Sequence, residues 1–288
     1  MRARTSLSNM AIKHYKPTTN GRRHASVSNP RDLSKKQPEK ALLEILKSSG
    51  GRNNQGKITT RHRGGGAKRF YRIIDWTRAQ YDETATVEAI EYDPNRTARI
   101  ALLSFAKHPK AYILAPDGVK VGDLLLSSKN KIEAKVGNRM PLEFVPVGMA
   151  VHAVELSPGS GAEMVRSAGM SAQLLGVEGR FAQLKLPSGE SRLVAKESSA
   201  TIGVVGNGEH RLVRLGTAGR MRHKGFRPRV RGKVMNPVDH PHGGGEGRNS
   251  IGMKYPKTPW GKHALGVKTR NEKKWSNKMI MQRRPKNK

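Results

Sequence analysis

A sixteen-residue segment, V-M-N-P-V-D-H-P-H-G-G-G-E-G-R-N from Val234 to Asn249, constrains the fold more than any other part of the chain. Pro237 and Pro241 remove backbone donors, and four glycines permit backbone conformations that other residues avoid. The segment therefore predicts neither a helix nor a regular strand, and it is poor material for a hydrophobic core. It is suited to lying against a large partner, with backbone N–H groups and small polar side chains facing that partner.

Three interpretations of this segment are open from its own residues. The first is a glycine-rich surface loop. The second is a metal site, in which His240 and His242 with Asp239 or Glu246 offer nitrogen and oxygen ligands. Zinc sites usually use three or four ligands, often Cys, and this chain has no Cys. The third is a nucleic-acid contact, and the composition of the whole chain favours it.

The composition indicates a protein that binds a polyanion. The chain has 288 residues, a formal net charge of +33 and a pI of about 11.0, and nucleic acid is the commonest partner for such a charge. The absence of Cys excludes a disulfide-stapled secreted fold. No apolar run approaches the roughly 20 residues of a membrane span, and no signal sequence follows the N-terminal arginines.

The charge is unevenly distributed, and the distribution predicts the domain organisation. Residues 1–59 carry a net charge of +10, residues 60–205 a net charge of +5, and residues 206–288 a net charge of +18. Blocks of like charge repel one another and cannot pack alone. We therefore expect a nearly balanced, folded middle between two basic arms that become ordered on RNA.

Short strands separated by turn residues fill the middle of the chain and predict two small β-barrels in tandem. The predicted domains are a basic extension (1–59), a first barrel (60–130), a second barrel (131–205) and an extended basic tail (206–288). One short helix is expected over residues 38–47, because Pro precedes it and acids occupy its first turn. The list of predicted strands is 71–76, 84–92, 97–105, 111–115, 149–156, 172–177, 181–187, 192–196 and 201–205.

Candidate RNA contacts lie in loops of similar chemistry, in which cations and amides stand among glycines. No G-x-G-x-x-G or G-x-x-x-x-G-K-[ST] fingerprint occurs, so these loops do not indicate nucleotide binding. A solvated charged loop is the alternative for each of them alone. The predicted RNA-binding residues are Arg52, Asn53, Asn54, Arg61, Arg63, Gly64, Gly65, Gly66, Lys68, Arg69, Arg96, Arg166, Arg220, Arg222, Lys224, Arg227, Arg229, Arg231, Asn236, His240, His242, Gly243, Gly244, Gly245 and Arg248.

Two of these residues are the predicted contacts of the barrels. Arg96 ends a D-P-N-R turn, and Arg166 stands among small residues in a glycine-rich loop. Both are expected to point outward. His240 is expected to donate and accept hydrogen bonds to RNA and to change charge near neutral pH.

Several motifs together resemble the bacterial-type family of the second protein of the large ribosomal subunit. They are G-G-R-N-N-Q-G-K-I-T-T-R-H-R-G-G-G, E-Y-D-P-N-R-T-A-R-I-A-L, V-R-S-A-G and M-N-P-V-D-H-P-H-G-G-G-E-G-R, followed by P-K-T-P-W-G and K-T-R. The resemblance runs from about Met10 to the C-terminus, and the nine residues before Met10 have no counterpart. The family usually has His after the glycine triplet, where this chain has Ala67, so no imidazole role carries over there.

The resemblance implies a mainly β fold: an OB-type barrel followed by an SH3-like barrel, with long extended basic N- and C-terminal arms. It implies a structural constituent of the large subunit that binds 23S-type rRNA near the peptidyl transferase centre, with Asp239 and His240 supporting that centre. Neighbouring ribosomal proteins, the small subunit through an intersubunit contact, and tRNA indirectly would be partners, without a membrane, metal or cofactor. The expected location is a cytoplasmic ribosome, with an organellar ribosome as the alternative.

Two other classes of function compete with this one. An enzyme could use Asp239 to orient His240 as a general base, but no Ser or Cys nucleophile stands in a recognisable context. A free DNA-binding or chromatin protein would explain the charge, but it would not explain two barrels with basic loops.

Overall fold

The computed structural model describes residues 12–30, 32–246 and 248–285. The expectations on Met10 and on Gly247 lie outside the described residues. The first described segment is a small antiparallel sheet of β1 (Ile12–His14) and β2 (Ser26–Ser28), with helix α1 (Asn20–Arg23) between the two strands in sequence. The hydroxyl of Thr19 accepts the N–H of Arg22 and caps this helix.

The helix predicted over residues 38–47 is wrong. A 3-10 turn spans Lys40–Leu42, and β3 (Leu43–Ile45) follows it directly and pairs with β4 (Phe70–Arg72). The spacing of the leucines fits a helix, but a helix this short is marginal in water by itself. Pairing with a strand about 27 residues further along satisfies the backbone N–H and C=O groups instead.

The first barrel region is an antiparallel sheet of four strands. They are β5 (Ala85–Glu91), β6 (Ile100–Ser104), β7 (Ala111–Leu114) and β8 (Leu124–Leu125), in the order β7-β6-β5-β8. The first three lie inside predicted strands, whereas β8 was not predicted. The apolar side chains of β6 and β7 are buried on both faces of this sheet, in two separate clusters.

The second barrel region is a seven-stranded antiparallel sheet in the order β15-β13-β12-β11-β10-β14-β9. Its strands β10 to β14 overlap the five strands predicted here, whereas β9 and β15 were not predicted. Its core contains Met140, Leu142, Val151, Leu174 and Ile202. The strands are β9 (Arg139–Pro141), β10 (Ala150–His152), β11 (Ala172–Glu178), β12 (Phe181–Lys185), β13 (Ser191–Ala195), β14 (Ser199–Ile202) and β15 (Ile280–Gln282).

Strand β15 belongs to the segment that was expected to be an extended tail. Gln282 pairs with Ser191 of β13, and the N–H of Leu193 donates to the carbonyl of Met279 at 2.8 Å. The last described part of the chain therefore closes one edge of the second sheet.

The chain divides into two compact units. The barrel unit comprises the described residues of Met1–Lys47, Lys68–Thr217 and Lys278–Lys288, and the basic unit comprises Ser48–Ala67 and Ala218–Asn277. The basic unit contains helix α2 (Ala218–His223) and 3-10 turns at Gly232–Val234 and Trp275–Asn277, and is otherwise irregular. The predicted mainly β fold class is confirmed. Neither helix in the described chain is long and apolar enough to cross a membrane.

A buried polar network joins the two barrel regions within the barrel unit. Arg139 and Glu155 form an ion pair at 2.7 Å, with side chains that are 2% and 4% exposed. Arg78, from the segment before β5, donates to the carbonyl of Gly137 at 2.8 Å. Burial lowers the pKa of the neighbouring His152 to about 4, so this ring is neutral at physiological pH.

Candidate nucleic-acid interface

The basic unit brings together two groups of predicted contacts that are far apart in the sequence. Arg63 and Phe226 form an antiparallel bridge, and the N–H of Gly64 donates to the carbonyl of Gly225 at 2.9 Å. The N–H of Arg227 donates to the carbonyl of His62 at 3.0 Å. The sequence indicated that these loops share one chemistry, and the structure shows that they also share one unit.

The predicted contacts divide unequally between the two units. Lys68, Arg69, Arg96 and Arg166 lie in the barrel unit. The basic unit holds Arg52, Asn53, Asn54, Arg61, Arg63, Gly64, Gly65, Gly66, Arg220, Arg222, Lys224, Arg227, Arg229, Arg231, Asn236, Asp239, His240, His242, Gly243, Gly244, Gly245 and Arg248.

The basic unit carries much of the charge of the protein on few residues. It has nineteen Lys and Arg and three Asp and Glu, which gives a net charge of +16 out of +33. Within the described chain, no carboxylate lies within ion-pair distance of Arg61, Arg63, Arg222, Arg227, Arg229, Arg231 or Arg248.

Some predicted contacts have structural partners inside the basic unit. The side-chain oxygen of Asn53 accepts the N–H groups of Gln55 and Lys57 at 3.1 and 2.9 Å, and so shapes its own loop. The guanidinium of Arg63 lies over the Phe226 ring at 4.1 Å. These contacts fix the direction of the loop and of the cation, and no carboxylate of the described residues pairs with the Arg63 guanidinium.

The segment from Met235 to Gly244 closes on itself through its backbone. The N–H of Asp239 donates to the carbonyl of Asn236 at 3.0 Å, and the N–H of Gly244 donates to that of Met235 at 3.0 Å. A Cβ at Gly243 would collide with the carbonyl oxygen of Asn236, so this close approach requires glycine. Glycine at this position therefore allows the loop to fold compactly, a role that is separate from letting a partner approach the backbone.

His240 is held in a fixed position and is only 8% exposed. Its ring lies on Gly232, where a Cβ would stand 2.5 Å from the ring atoms Cε1 and Nδ1. The N–H of His242 donates to Nδ1 at 3.0 Å, which assigns the proton of the neutral ring to Nε2. In this arrangement His240 offers a partner an N–H donor at Nε2, and not the acceptor that the sequence also suggested.

The same hydrogen bonds bear on the two competing interpretations of this segment. His242 accepts the N–H of Lys257 at Nε2, at 2.8 Å, so one nitrogen of each ring is already used as an acceptor. The described residues contain no group of three or more His, Asp or Glu that could hold a metal ion. Nδ1 of His240 is used as an acceptor, and in the described chain neither nitrogen of this ring forms a hydrogen bond or an ion pair with Asp239, so the Asp–His contact of a general-base dyad is not observed.

The outward direction expected for Arg96 is wrong, whereas Arg166 is exposed. Arg96 is 15% exposed, and its Nε donates to the buried carboxylate of Asp93 at 2.6 Å. A buried carboxylate needs a partner, and Arg96 is three residues away in the same turn. The guanidinium groups of Arg96 and Arg166 both lie against Trp76, at 5.5 and 4.8 Å from the centre of its ring. The structure thus brings these two arginines to one aromatic side chain.

Sequence reasoning missed the residues that position these candidates. Trp76 was predicted only as the last residue of a strand. Gly232 was not predicted to have a role, because the His240 ring that it contacts in the structure lies eight residues later in the sequence. Trp260 stood in a motif without a role. For Arg96 a signal was present, since Asp93 precedes it in D-P-N-R.

Two β-barrel regions and a loop-rich unit of high positive charge are the features of a nucleic-acid-binding protein. The family model for Ribosomal Proteins L2, RNA binding N-terminal domain, matches residues 39–127. The model for Ribosomal Proteins L2, C-terminal domain, matches residues 135–261. Together they cover about three quarters of the 288 residues, and the chain belongs to the ribosomal protein L2 family.

This membership fixes the general role of the chain. It is an rRNA-binding, structural constituent of the large ribosomal subunit, and its place is in the ribosome. The observed sheets agree with the OB and SH3-like barrels of the family.

Proposed function

We propose that the chain binds 23S-type rRNA near the peptidyl transferase centre and supports peptide-bond formation without being a catalyst itself. The proposal includes subunit association through a contact with the small subunit, placement of tRNA, contacts with neighbouring ribosomal proteins, and a cytoplasmic ribosome. The observation that carries it is the concentration in the basic unit of exposed arginines, such as Arg227, Arg229 and Arg231, that have no carboxylate within ion-pair distance in the described chain.

Phosphate groups are the ligands that these arginines fit best. A guanidinium donates two parallel hydrogen bonds to a phosphate, and release of counterions from RNA favours such contacts. Arg227, Arg229 and Arg231 are exposed and follow one another at every second position in a segment without helix or strand. This segment can follow an RNA backbone closely, because no regular secondary structure competes for its shape.

The barrel unit would supply a second contact through Arg166. Its guanidinium is oriented by the Trp76 ring and by a 3.3 Å hydrogen bond to the carbonyl of Ala162, while the side chain stays exposed. An oriented cation loses less conformational entropy on binding than a free one. Arg96 contributes less directly, because its Nε is bound to Asp93.

His240 would support the peptidyl transferase centre as a hydrogen-bond donor. Its Nε2–H has no hydrogen-bond partner in the described chain, and a 2′-hydroxyl or phosphate oxygen of RNA would accept it. Asp239 is exposed in the same turn and would act through the backbone of that turn. The role is one of position, since the ring is held by Gly232 and His242.

Salt-dependent binding to protein-free large-subunit rRNA tests the phosphate contacts. Arg229→Gln is expected to weaken binding and to reduce the slope of log K against log salt by about one unit. Arg180→Gln is the matched control, because Arg180 is an exposed arginine in the β11–β12 turn of the barrel unit. The proposal would be contradicted if the two substitutions weakened binding equally, or if the wild-type protein bound double-stranded DNA as tightly as it binds the rRNA.

Large subunits reconstituted with His240→Ala protein test the role of the ring. We expect these particles to assemble, because many cationic contacts supply the affinity, and to form peptide bonds slowly. His223→Ala, at an exposed histidine of α2, is the control and should leave the rate unchanged. Fully assembled His240→Ala particles with a normal rate would show that His240 is a spectator, and peptidyl transfer by the protein without RNA would refute the non-catalytic role.

A further inference from the structure

Trp260 is displayed at the tip of a small hairpin in the basic unit. Lys257 and His263 form an antiparallel bridge, and the N–H of Thr258 donates to the carbonyl of Lys262 at 2.7 Å. The N–H of Gly261 donates back to the carbonyl of Thr258 at 2.9 Å, which closes a β-turn with Pro259 and Trp260 at its centre. Pro259 fixes one backbone angle of this turn and limits the directions open to the indole.

The indole ring is exposed and has one face already occupied. Trp260 is 74% exposed, although it is one of only three tryptophans in the chain. The guanidinium of Arg61 lies over the ring at 5.1 Å from its centre, from a loop about 200 residues earlier in the sequence. A cation over one face of the ring orients its plane and leaves the opposite face open.

We propose that Trp260 is a stacking platform for an unpaired nucleobase of RNA. This inference rests on the proposed function and deepens it, since it adds a contact to a base to the contacts with phosphate. Flat bases stack on exposed aromatic rings without regard to sequence, and an unpaired base has a face free to do so. Bases inside a duplex are already stacked on their neighbours and are not available.

The charge around the platform favours RNA over a protein partner. The hairpin itself carries Lys257 and Lys262, Arg61 covers the ring, and the whole basic unit has a net charge of +16. The cores of protein interfaces are depleted of charge, whereas base-stacking sites in grooves that bind single strands combine aromatic rings with cations. A nucleotide satisfies both parts of the site, with its base on the ring and its phosphate near the cations.

Binding to protein-free large-subunit rRNA at several salt concentrations tests this assignment. Trp260→Ala is expected to lower the affinity by about 5- to 150-fold, the range that corresponds to 1–3 kcal/mol for one stacked base. The salt slope should stay unchanged, because no cation is removed. Trp260→Phe should retain most of the affinity, since it keeps an aromatic face.

Leu265→Ala is the matched control for exposed apolar area. Leu265 is 79% exposed, lies in the same unit and has no aromatic face, so its replacement should change the affinity less than twofold. Circular dichroism of each variant confirms that the fold is kept.

Three outcomes would overturn the platform. These are Trp260→Ala binding within twofold of wild type, an equal loss with Leu265→Ala, and a reduced salt slope, which would mean that the ring acts only by orienting Arg61. In each of these outcomes the wild-type protein still binds rRNA, so the proposed function would stand. Absence of wild-type binding would instead overturn the proposed function and this inference together.

Discussion

Replacing Gly232 with Ala should slow peptide-bond formation without removing any functional group. The new Cβ would lie 2.5 Å from Cε1 and Nδ1 of His240 and 2.6 Å from Cγ, whereas carbon atoms in contact are about 3.5 to 4.0 Å apart. The ring must therefore retreat by about 1 Å. Its hydrogen bond from the N–H of His242, now 3.0 Å long, would be stretched beyond a useful length.

The size of the effect follows from this displacement. A shift of about 1 Å in a positioning group can lower a rate by about 100-fold, and overpacking of this kind typically costs about 1–3 kcal/mol of stability. The measurement is single-turnover transfer to puromycin in reconstituted large subunits, normalised to the variant protein present in each particle. Hydrogen exchange in the same particles should show that the amide of His242 loses protection.

Gly219→Ala is the matched control for this substitution. Gly219 lies in α2 of the same unit, and a Cβ there would have no heavy atom within 4 Å. Ala in a helix is more favourable than Gly, so this variant should keep the wild-type rate and gain about 0.5–1 kcal/mol of stability. A normal rate in fully occupied Gly232→Ala particles, with the His242 amide still protected, would refute the reasoning.

Three other predictions concern stability and order. His152 takes up a proton near pH 6.5 in the unfolded chain but only near pH 4 in the folded chain, so the free energy of unfolding should fall by about 3 kcal/mol as the pH is lowered from 6.5 to 4. Urea titrations at several pH values measure this dependence, and His152→Gln should flatten it. An unchanged pH dependence in the variant would contradict the prediction. Glu155→Gln leaves Arg139 buried without its ion pair and should cost about 3–5 kcal/mol in the same assay, whereas the exposed Glu178→Gln should cost little. In limited proteolysis of the free protein, trypsin should cleave the basic unit before the barrel unit, because like charges within the basic unit repel one another, and added rRNA should protect the basic unit. Equal resistance of both units without RNA would contradict this reasoning.

The sequence predicted the central strands well because their signal is local. Alternating or continuous apolar residues between turn residues marked β5, β6 and β7, and likewise β10 to β14. Strands β8, β9 and β15 have two or three residues each and exist only through pairing with distant partners, so no window of sequence reveals them. The prediction of a helix over residues 38–47 was wrong for the same reason, because residues 43–45 form backbone hydrogen bonds with the distant strand β4.

The candidate site shows a similar limit. Composition selected the loops that are proposed to bind RNA, but it did not indicate that the loop around Arg63 bridges the segment at Phe226. The direction of Arg96 depended on Asp93 being buried, and the direction of the His240 ring depended on a bare backbone at Gly232. These are contacts between side chains and distant backbone, and residue types alone do not specify them.

The pairing of β15 with β13 has a consequence for the order of ribosome assembly. The chain passes from the barrel unit into the basic unit after Thr217 and returns to the barrel unit at Lys278. Residues 218–277 are therefore tethered to the barrel unit at both ends. A polymer with a free end can be threaded through a closed ring of RNA, but a segment tethered at both ends cannot. While β15 stays paired, any rRNA that encircles residues 218–277 in the assembled particle would therefore have to close around them after they have docked, and not before.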